Sequence, residues 1–345
     1  MSAILIVALF IAMLSALYLT PKFIRFLEAL GITGIDVQKR GRPQIAEMGG
    51  PAVLGGFLLG GFFYIGAKVF FYGESAELIE IFAATSTILI VALIGILDDI
   101  GSLSSFRTRD SLGNVKRIGL SQWQKPLLTL PAAIPLMAIM AGNSTISIPL
   151  IGPTNVGILY PLVLIPLGVV GAANATNMLG GMNGLEAGLG AVLLTALGLY
   201  AGSTGSLIAM TIALLYAAAL LAFLRYNWYP ARIMPGDSLT YSIGAVVATV
   251  AILGNIEKYA LYCFLPWFIE LILKARSRFK AQSFGILQAD GTLSAPYEHR
   301  YSLTHVVMKL GRFTEKEVTA ILVLSEVIIC CIMFVLVSGW ILPLS

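Results

Sequence analysis

Ten stretches of mostly apolar residues, separated by polar segments, run the length of the chain, near 3–20, 50–71, 79–97, 126–142, 157–173, 185–202, 205–224, 238–255, 258–275 and 317–341. Each is close to the roughly 20 apolar residues that a helix needs to cross a bilayer. The pattern predicts an all-α polytopic membrane protein of about ten transmembrane helices, with one integral-membrane domain over 1–345. The longest polar segment, 276–316, carries two local signals. "GILQADGTL" at 285–293 sets Asp-Gly between short apolar flanks and predicts a small β-hairpin in the loop before the last helix. "TEKE" at 314–317 reads as a capping box opening the last span.

Composition agrees. Only 12% of residues are charged, 58% are hydrophobic, and the mean hydropathy is +0.89. A soluble domain carries about 25% charged residues. No nucleic-acid partner is expected. Cys263, Cys330 and Cys331 lie in apolar runs without metal-type spacing and read as small buried hydrophobes. The first apolar run lacks a basic segment ahead of it, and Lys22 and Arg25 follow it. That suits an uncleaved first span with its N-terminus outside.

The position of the charges sets an orientation. Segments after the odd spans hold Lys22, Arg25, Lys39, Arg40 and Arg42, then Arg107, Arg109, Lys116, Arg117 and Lys125. They also hold Arg225 and Arg232, then Lys274, Arg276, Arg278, Lys280, Arg300, Lys309, Arg312 and Lys316, which makes 20 of the 22 basic residues. The opposite side keeps Lys68 and Lys258, with Glu74, Glu77 and Glu80 nearby. The positive-inside rule then makes the odd loops cytoplasmic and both termini external, in a multi-pass cell membrane protein. Asn174-Ala175-Thr176 spells a glycosylation acceptor, but on the cytoplasmic side. Asn143-Ser144-Thr145 lies outside, close to the bilayer, where modification is not expected.

Every unusual polar cluster falls on the cytoplasmic side. "GIDVQKRGRPQIAEMGG" at 34–50 is an ordered-looking loop. Contact with anionic lipid heads explains Arg40 and Arg42 equally well, but not Asp36 or Glu47. In "GILDDIGSL" at 95–103, Asp98 and Asp99 are adjacent acids at the inner end of an apolar helix. Such carboxylates are costly and repel one another unless a cation neutralises them. The plain alternative is that both end the span in water. Lys125, beside Trp123 where the chain re-enters the membrane, suits phosphate as a compact point charge. "NATNMLGGMNGLEAG" at 174–188 and "RYNWYPARIMPGDSLTY" at 225–241 follow, and Asp237 is equally readable as a helix cap. "APYEHR" at 295–300 contains His299. Glu270 and Lys274 read as a structural i,i+4 pair, and Glu326 in mid-span has no assigned role. Carboxylate and amide oxygens are hard ligands suited to Mg²⁺ or Mn²⁺, and glycine lets backbone approach a diphosphate closely. Phosphate chemistry at the cytoplasmic interface, with one substrate drawn from the lipid, fits this set.

"GIDVQK", "GILDDIG", "NATNMLGGMNGLEAG", "NWYPARIMPGDSLTY" and "APYEHR" occur in an order and spacing that resemble the polyprenyl-phosphate N-acetylhexosamine-1-phosphate transferases, over essentially the whole chain. The glycine-rich and NWYP segments look most like the dolichyl-phosphate branch, in an archaeal-type member. The resemblance implies that UDP-GlcNAc and dolichyl (polyprenyl) phosphate give GlcNAc-diphosphate-dolichol and UMP, the first membrane step of lipid-linked glycan assembly for N-glycosylation. It implies Asn177 and Asp237 as Mg²⁺ ligands, Asp98 and Asp99 at the reacting phosphates, and Lys125 against phosphate charge. Asn183 and its glycines would receive uridine, and Glu47, His299 and Arg300 would shape the sugar pocket. Asp36, Lys39 and Asn174 complete the implied substrate contacts, and a homodimer is compatible with the pattern. Glu298 stands where the family often has a basic residue, and Met234 where a ring would stack on uracil. Open alternatives are another UDP-N-acetylhexosamine, undecaprenyl phosphate as acceptor, or a carrier of lipid-linked or nucleotide sugars. A carrier predicts polar residues through the midplane and on both faces, and shows internal repeats in many folds, neither of which is seen in this sequence.

Overall fold

The computed structural model describes residues 2–101, 108–109, 115–116, 123–148 and 152–338. Among these described residues, seven unbroken helices are long and apolar enough to cross a membrane. They are α1 (Ala3–Ala29), α2 (Gly50–Tyr72), α3 (Leu78–Gly101), α7 (Leu185–Ser203), α8 (Leu207–Asn227), α9 (Gly236–Gly254) and α13 (Glu315–Val337). The other three expected spans are segmented, and proline is the reason. The fourth breaks into α4 (Gln124–Thr129), a 3₁₀ turn and α5 (Ile134–Ala138), with Pro126, Pro131 and Pro135 in the run. The fifth opens as a π turn over Tyr160–Leu164 before α6 (Ile165–Thr176), and contains Pro161 and Pro166. The ninth divides at Phe264 into α10 (Glu257–Cys263) and α11 (Leu265–Arg276), with Pro266 starting the second piece. Each proline removes one N–H donor and crowds the preceding turn. Arg107, Arg117 and the expected end of the last span at 341 lie outside the described residues.

Pro21 does not end α1, which runs nine residues past its expected limit to Ala29. A proline there strips the Leu17 carbonyl of its helical donor. The Tyr226 hydroxyl of α8 donates to that carbonyl at 3.1 Å, so the backbone group is satisfied from a neighbouring helix.

Helix α9 is the axis of the bundle. Nearly all its side chains are buried, and α2, α3, α6, α7 and α8 all pack against it. Glycines set the approach. A Cβ on Gly244 would stand 2.2 Å from the Ala172 carbonyl oxygen of α6. A Cβ on Gly95 of α3 would meet Ser238 Cα at 2.6 Å, and one on Gly50 of α2 the Ser238 carbonyl carbon at 2.6 Å. Helix α1 docks on α2 in the same way, with Ala8, Ala12 and Ala16 facing Gly56 and Gly60. Small residues let membrane helices make close van der Waals contact where lipid offers no hydrophobic drive.

Among the described residues, four two-stranded hairpins decorate the bundle. Strands β1 (Thr33–Ile35) and β2 (Gln44–Ala46) pair in the first loop. Strands β3 (Thr108–Arg109) and β4 (Val115–Lys116), and β5 (Thr145–Ile148) and β6 (Gly152–Asn155), form two more. The expected Asp-Gly hairpin is β7 (Ile286–Leu287) with β8 (Leu293–Ser294), turning through Gly291 at φ +87°. Its loop continues into α12 (Leu303–Met308). The capping box is present too: Thr314 N–H donates to Glu317 Oε2 at 2.8 Å, and Glu317 N–H to Thr314 Oγ1 at 3.4 Å.

The long loop is stapled to α11 by the expected Glu270–Lys274 pair, 3.7 Å apart. Glu270 Oε2 accepts from Leu303 N–H at 2.7 Å and the Ser302 hydroxyl at 3.1 Å. The Lys274 ammonium donates to Ser283 Oγ at 2.7 Å and the Ala281 carbonyl at 3.0 Å. His305 is buried beside this staple. Burial, helped by the Lys274 charge, pushes its pKa from 6.5 down to about 4.

Two outcomes follow from this packing. Gly244→Leu will lower the thermal midpoint in detergent, at a cost of about 1–3 kcal/mol, because the clash is with backbone that cannot turn aside. Gly171→Ala, where a Cβ meets open space, will leave the midpoint unchanged or raise it. The His305 contribution has the opposite sign to that of an ion-paired histidine. It is fully present above the ordinary value of 6.5 and is lost as pH falls toward about 4, because only the unfolded chain takes the proton there. Hydrogen exchange in 297–309, corrected for intrinsic rates, will accelerate across that window, and His305→Gln will remove the step.

Candidate active site

Asp98 and Asp99 end α3 as neighbours, and a helix turns about 100° per residue. Their carboxylates therefore diverge. Asp98, 2% exposed, faces Lys125, whose ammonium lies 2.6 Å from Asp98 Oδ2. Asp99 faces the start of α9. Its Oδ1 accepts from the backbone N–H of Asp237 at 2.6 Å, and its Oδ2 from that of Ser238 at 3.0 Å. These are orphan donors of a helix N-terminus, which carries partial positive charge, so Asp99 caps α9 from another helix. Gly236 precedes them at φ +69°, and a Cβ there would strike the Asp99 carboxylate.

The capped turn aims Asp237 inward. Its Oδ2 lies 3.0 Å from the same Lys125 ammonium. One lysine thus bridges acids from α3 and α9. Asp98 is buried and would be left with an uncompensated charge without Lys125, so these three side chains specify one another's positions. One turn along α9, the Tyr241 hydroxyl approaches Asp98 Oδ2 at 3.5 Å, and Thr240 Oγ1 donates to Asn177 Oδ1 at 3.1 Å. Asn177 stands at the end of α6, beside Thr176, whose hydroxyl donates to the Thr240 carbonyl at 2.7 Å. Asp98, Asp237, Lys125 and Asn177 accordingly converge where α3, α4, α6 and α9 end. Asn174 belongs to the packing beneath, donating to the Val170 carbonyl at 2.8 Å and to Thr129 Oγ1 at 3.3 Å.

A second polar cluster gathers Asp36, Lys39 and Asn183 with Glu315. Lys39 pairs with Asp36 at 3.1 Å and with Glu315, and its ammonium sits 4.4 Å from the centre of the Tyr229 ring. Asn183 is buried and its side-chain amide is engaged at both ends. The nitrogen donates to Asp36 Oδ2 at 3.1 Å, and the oxygen accepts from Ala231 N–H at 2.9 Å. The loops around it are joined. Gln38 donates to the Gly181 carbonyl and accepts from Gly285 N–H, both at 2.8 Å. Met234 N–H donates to the Ala46 carbonyl at 2.8 Å, tying β2 to the segment ahead of Asp237. Glu47 follows β2, and a Cβ on Gly34 would meet its carboxylate and the Met234 sulfur. Glu186, in the first turn of α7, accepts from Gly181 N–H at 2.7 Å.

His299 and Arg300 are exposed on the long loop and do not join either cluster. Lys309 holds their segment through the Glu298 carbonyl. Thr240 and Tyr241 escaped the sequence reading, although i+3 and i+4 spacing from Asp237 puts them on its face of α9. Glu315 was visible only as part of the capping box. Among the described residues no three His, Cys, Asp or Glu side chains are grouped to hold a metal. The oxygens of Asp237 and Asn177 can offer a cation only part of its shell.

The comparisons with known proteins bear on this arrangement. The family model of glycosyl transferase family 4 matches residues 81–255, a stretch that contains Asp98, Asp99, Lys125, Asn177 and Asp237. A protein of Saccharolobus solfataricus is 37% identical over 306 residues, covering 88% of this chain and 87% of its own length. One of Sulfolobus acidocaldarius is 34% identical, covering 85% and 84%. Both are provisionally named UDP-N-acetylglucosamine–dolichyl-phosphate N-acetylglucosaminephosphotransferase. A Dictyostelium discoideum protein bearing that name outright is 25% identical over 92% of this chain. With half its length under the family model and close relatives matched nearly end to end, the chain belongs to glycosyl transferase family 4.

Proposed function

We propose that this membrane phosphotransferase moves GlcNAc-1-phosphate from UDP-GlcNAc to dolichyl phosphate, releasing UMP. The observation that carries the reading is the single lysine, Lys125, held between Asp98 and Asp237, with Asn177 joined to the same stretch of α9 through Thr240. The names of the relatives support the choice of substrates. The basic residues crowded into the odd loops support a cytoplasmic site at the cell membrane, the face on which a nucleotide sugar is available.

In this reaction an oxygen of the lipid phosphate forms a bond to the β-phosphorus of UDP-GlcNAc. The bond from that phosphorus to the bridging oxygen breaks, and UMP leaves with the electron pair. The bond between sugar and phosphate is untouched. Lys125 neutralises charge on the phosphates that replace its carboxylate partners, and Asp98 and Asp237 set where that ammonium stands before they arrive. A phosphate monoester is already largely ionised near neutral pH, so Asp98 need not remove a proton. Asp99 acts at one remove, by fixing the first turn of α9 and so the direction of Asp237.

Mg²⁺ fits the donor set as part of this proposal. Asp237 and Asn177 offer oxygen only, and magnesium characteristically takes one or two carboxylates and fills the rest of its shell with phosphate and water. When bound there it would neutralise the diphosphate and polarise the reacting phosphorus. Thr240, donating to Asn177 Oδ1, orients that ligand.

Purified protein with UDP-GlcNAc, dolichyl phosphate and Mg²⁺ will release UMP, and a panel of UDP-sugars will rank UDP-GlcNAc first. Absence of UMP from every donor overturns the reaction. Asp237→Ala and Lys125→Ala will each cut kcat by about 10²–10³, the usual size of a lost charge-stabilising group. Thr240→Val will raise the Mg²⁺ concentration giving half-maximal rate by about tenfold or more, the usual effect of losing a ligand-orienting partner. Full metal-dependent activity in Asp237→Ala would remove that residue from the site.

A further inference from the structure

The cluster of Asp36, Lys39, Asn183 and Glu315 forms a closed ring, and none of the chemistry above uses Glu315. This residue opens α13 and is 3% exposed. Its Oε1 accepts the backbone N–H of Asn183 at 2.8 Å, and its Oε2 takes the Lys39 ammonium. Lys39 passes on to Asp36 Oδ2 at 3.1 Å, and the same oxygen accepts from Asn183 Nδ2 at 3.1 Å, which closes the ring. The two remaining acceptors of Asn183 are engaged as well, Oδ1 by Ala231 N–H at 2.9 Å and the carbonyl by Thr319 Oγ1 at 3.2 Å.

The ring encloses a segment that cannot hold its own shape. Residues 178–184 join Asn177 to α7 and contain Gly180, Gly181 and Gly184, the last two at φ +94° and +79°. Glycine has the largest backbone freedom to lose, so such a segment keeps one conformation only if its surroundings impose it. Asn183 is where they do so, through four hydrogen-bonding groups. Burying two acids and a base is a poor route to stability, since apolar replacements are often neutral or better. What the charges supply is a fixed geometry, reaching from the first loop and the last helix to Asn183 in the glycine turn, six residues from Asn177.

We propose that Glu315 is a positioning residue for the donor: through Asn183 and Lys39 it holds segment 178–184 in the shape that receives the nucleotide half of UDP-GlcNAc. This rests on the donor assigned above and on the place the family resemblance gives its uridine, at Asn183 and the glycines beside it. Glu315 sets donor affinity and leaves the phosphoryl transfer at Lys125 alone.

The test compares full-length wild type with Glu315→Ala, which removes both acceptors, and Glu315→Gln, which keeps an acceptor for Asn183 but loses the charge. Expected in Glu315→Ala is a KM for UDP-GlcNAc raised by about tenfold with kcat within about twofold, the signature of lost ground-state and transition-state binding alike. Glu315→Gln will fall between it and wild type. The KM for dolichyl phosphate will hold, while the thermal midpoint of Glu315→Ala will fall because a buried ion pair and a buried hydrogen bond each lose a partner. Amide exchange in 178–184 will quicken in Glu315→Ala without any substrate present. An unchanged KM, or a fall in kcat that tracks a fall in thermal midpoint, overturns the proposal. If wild type turns over no UDP-GlcNAc, the donor assignment fails, and the exchange measurement alone decides: unchanged exchange in 178–184 overturns the role of Glu315.

Discussion

The first turn of α9 is the fixed point from which the rest of this structure is built. Gly50 and Gly95 let α2 and α3 touch the backbone at Ser238, and Asp99 accepts the two N–H groups that the helix leaves unpaired there. Two geometric demands are met together. A side chain at either glycine would push its helix outward, and a longer gap would break the hydrogen bonds of Asp99. Asp237 and Thr240 take their directions from that turn, so the site inherits its precision from helix packing several residues below it.

Both polar clusters solve the same electrostatic problem in the same way. Each sets one lysine between two acids from distant elements: Lys125 between Asp98 and Asp237, and Lys39 between Asp36 and Glu315. An ammonium can serve this purpose because its three donors rotate freely and demand no planar match, unlike a guanidinium fork. Each cluster carries one more acid than base at the edge of an apolar bundle. In the first, that composition leaves oxygens facing the place where chemistry is proposed. In the second, the surplus is absorbed by hydrogen bonds to Asn183, and the cluster serves as framework.

Local signals in the sequence translated well. Apolar run length located the helices, the Asp-Gly turn located β7 and β8, and TEKE located the start of α13. The prolines of the fourth, fifth and ninth spans were equally visible, but run length alone hid the breaks they cause. The adjacent acids were legible as important, but not their division of labour, because 100° of helical rotation points one at Lys125 and the other at α9. Asn183 and Glu315 were the least legible. Lys39 and Glu315 are 276 positions apart, Asn183 and Glu315 are 132 apart, and no periodic pattern spans such distances.

The repair at Pro21 carries a consequence of another kind. The carbonyl that this proline leaves bare lies on α1, and the hydroxyl that serves it lies on α8, 209 positions later. The two sites are therefore an epistatic pair. A proline at 21 is tolerable while 226 offers a donor, and a phenylalanine at 226 is neutral once 21 regains an N–H. Loss of the hydroxyl while proline stands at 21 leaves the Leu17 carbonyl without its donor, whereas an N–H regained at 21 first removes the need for it, so the two positions are free to drift only in that order.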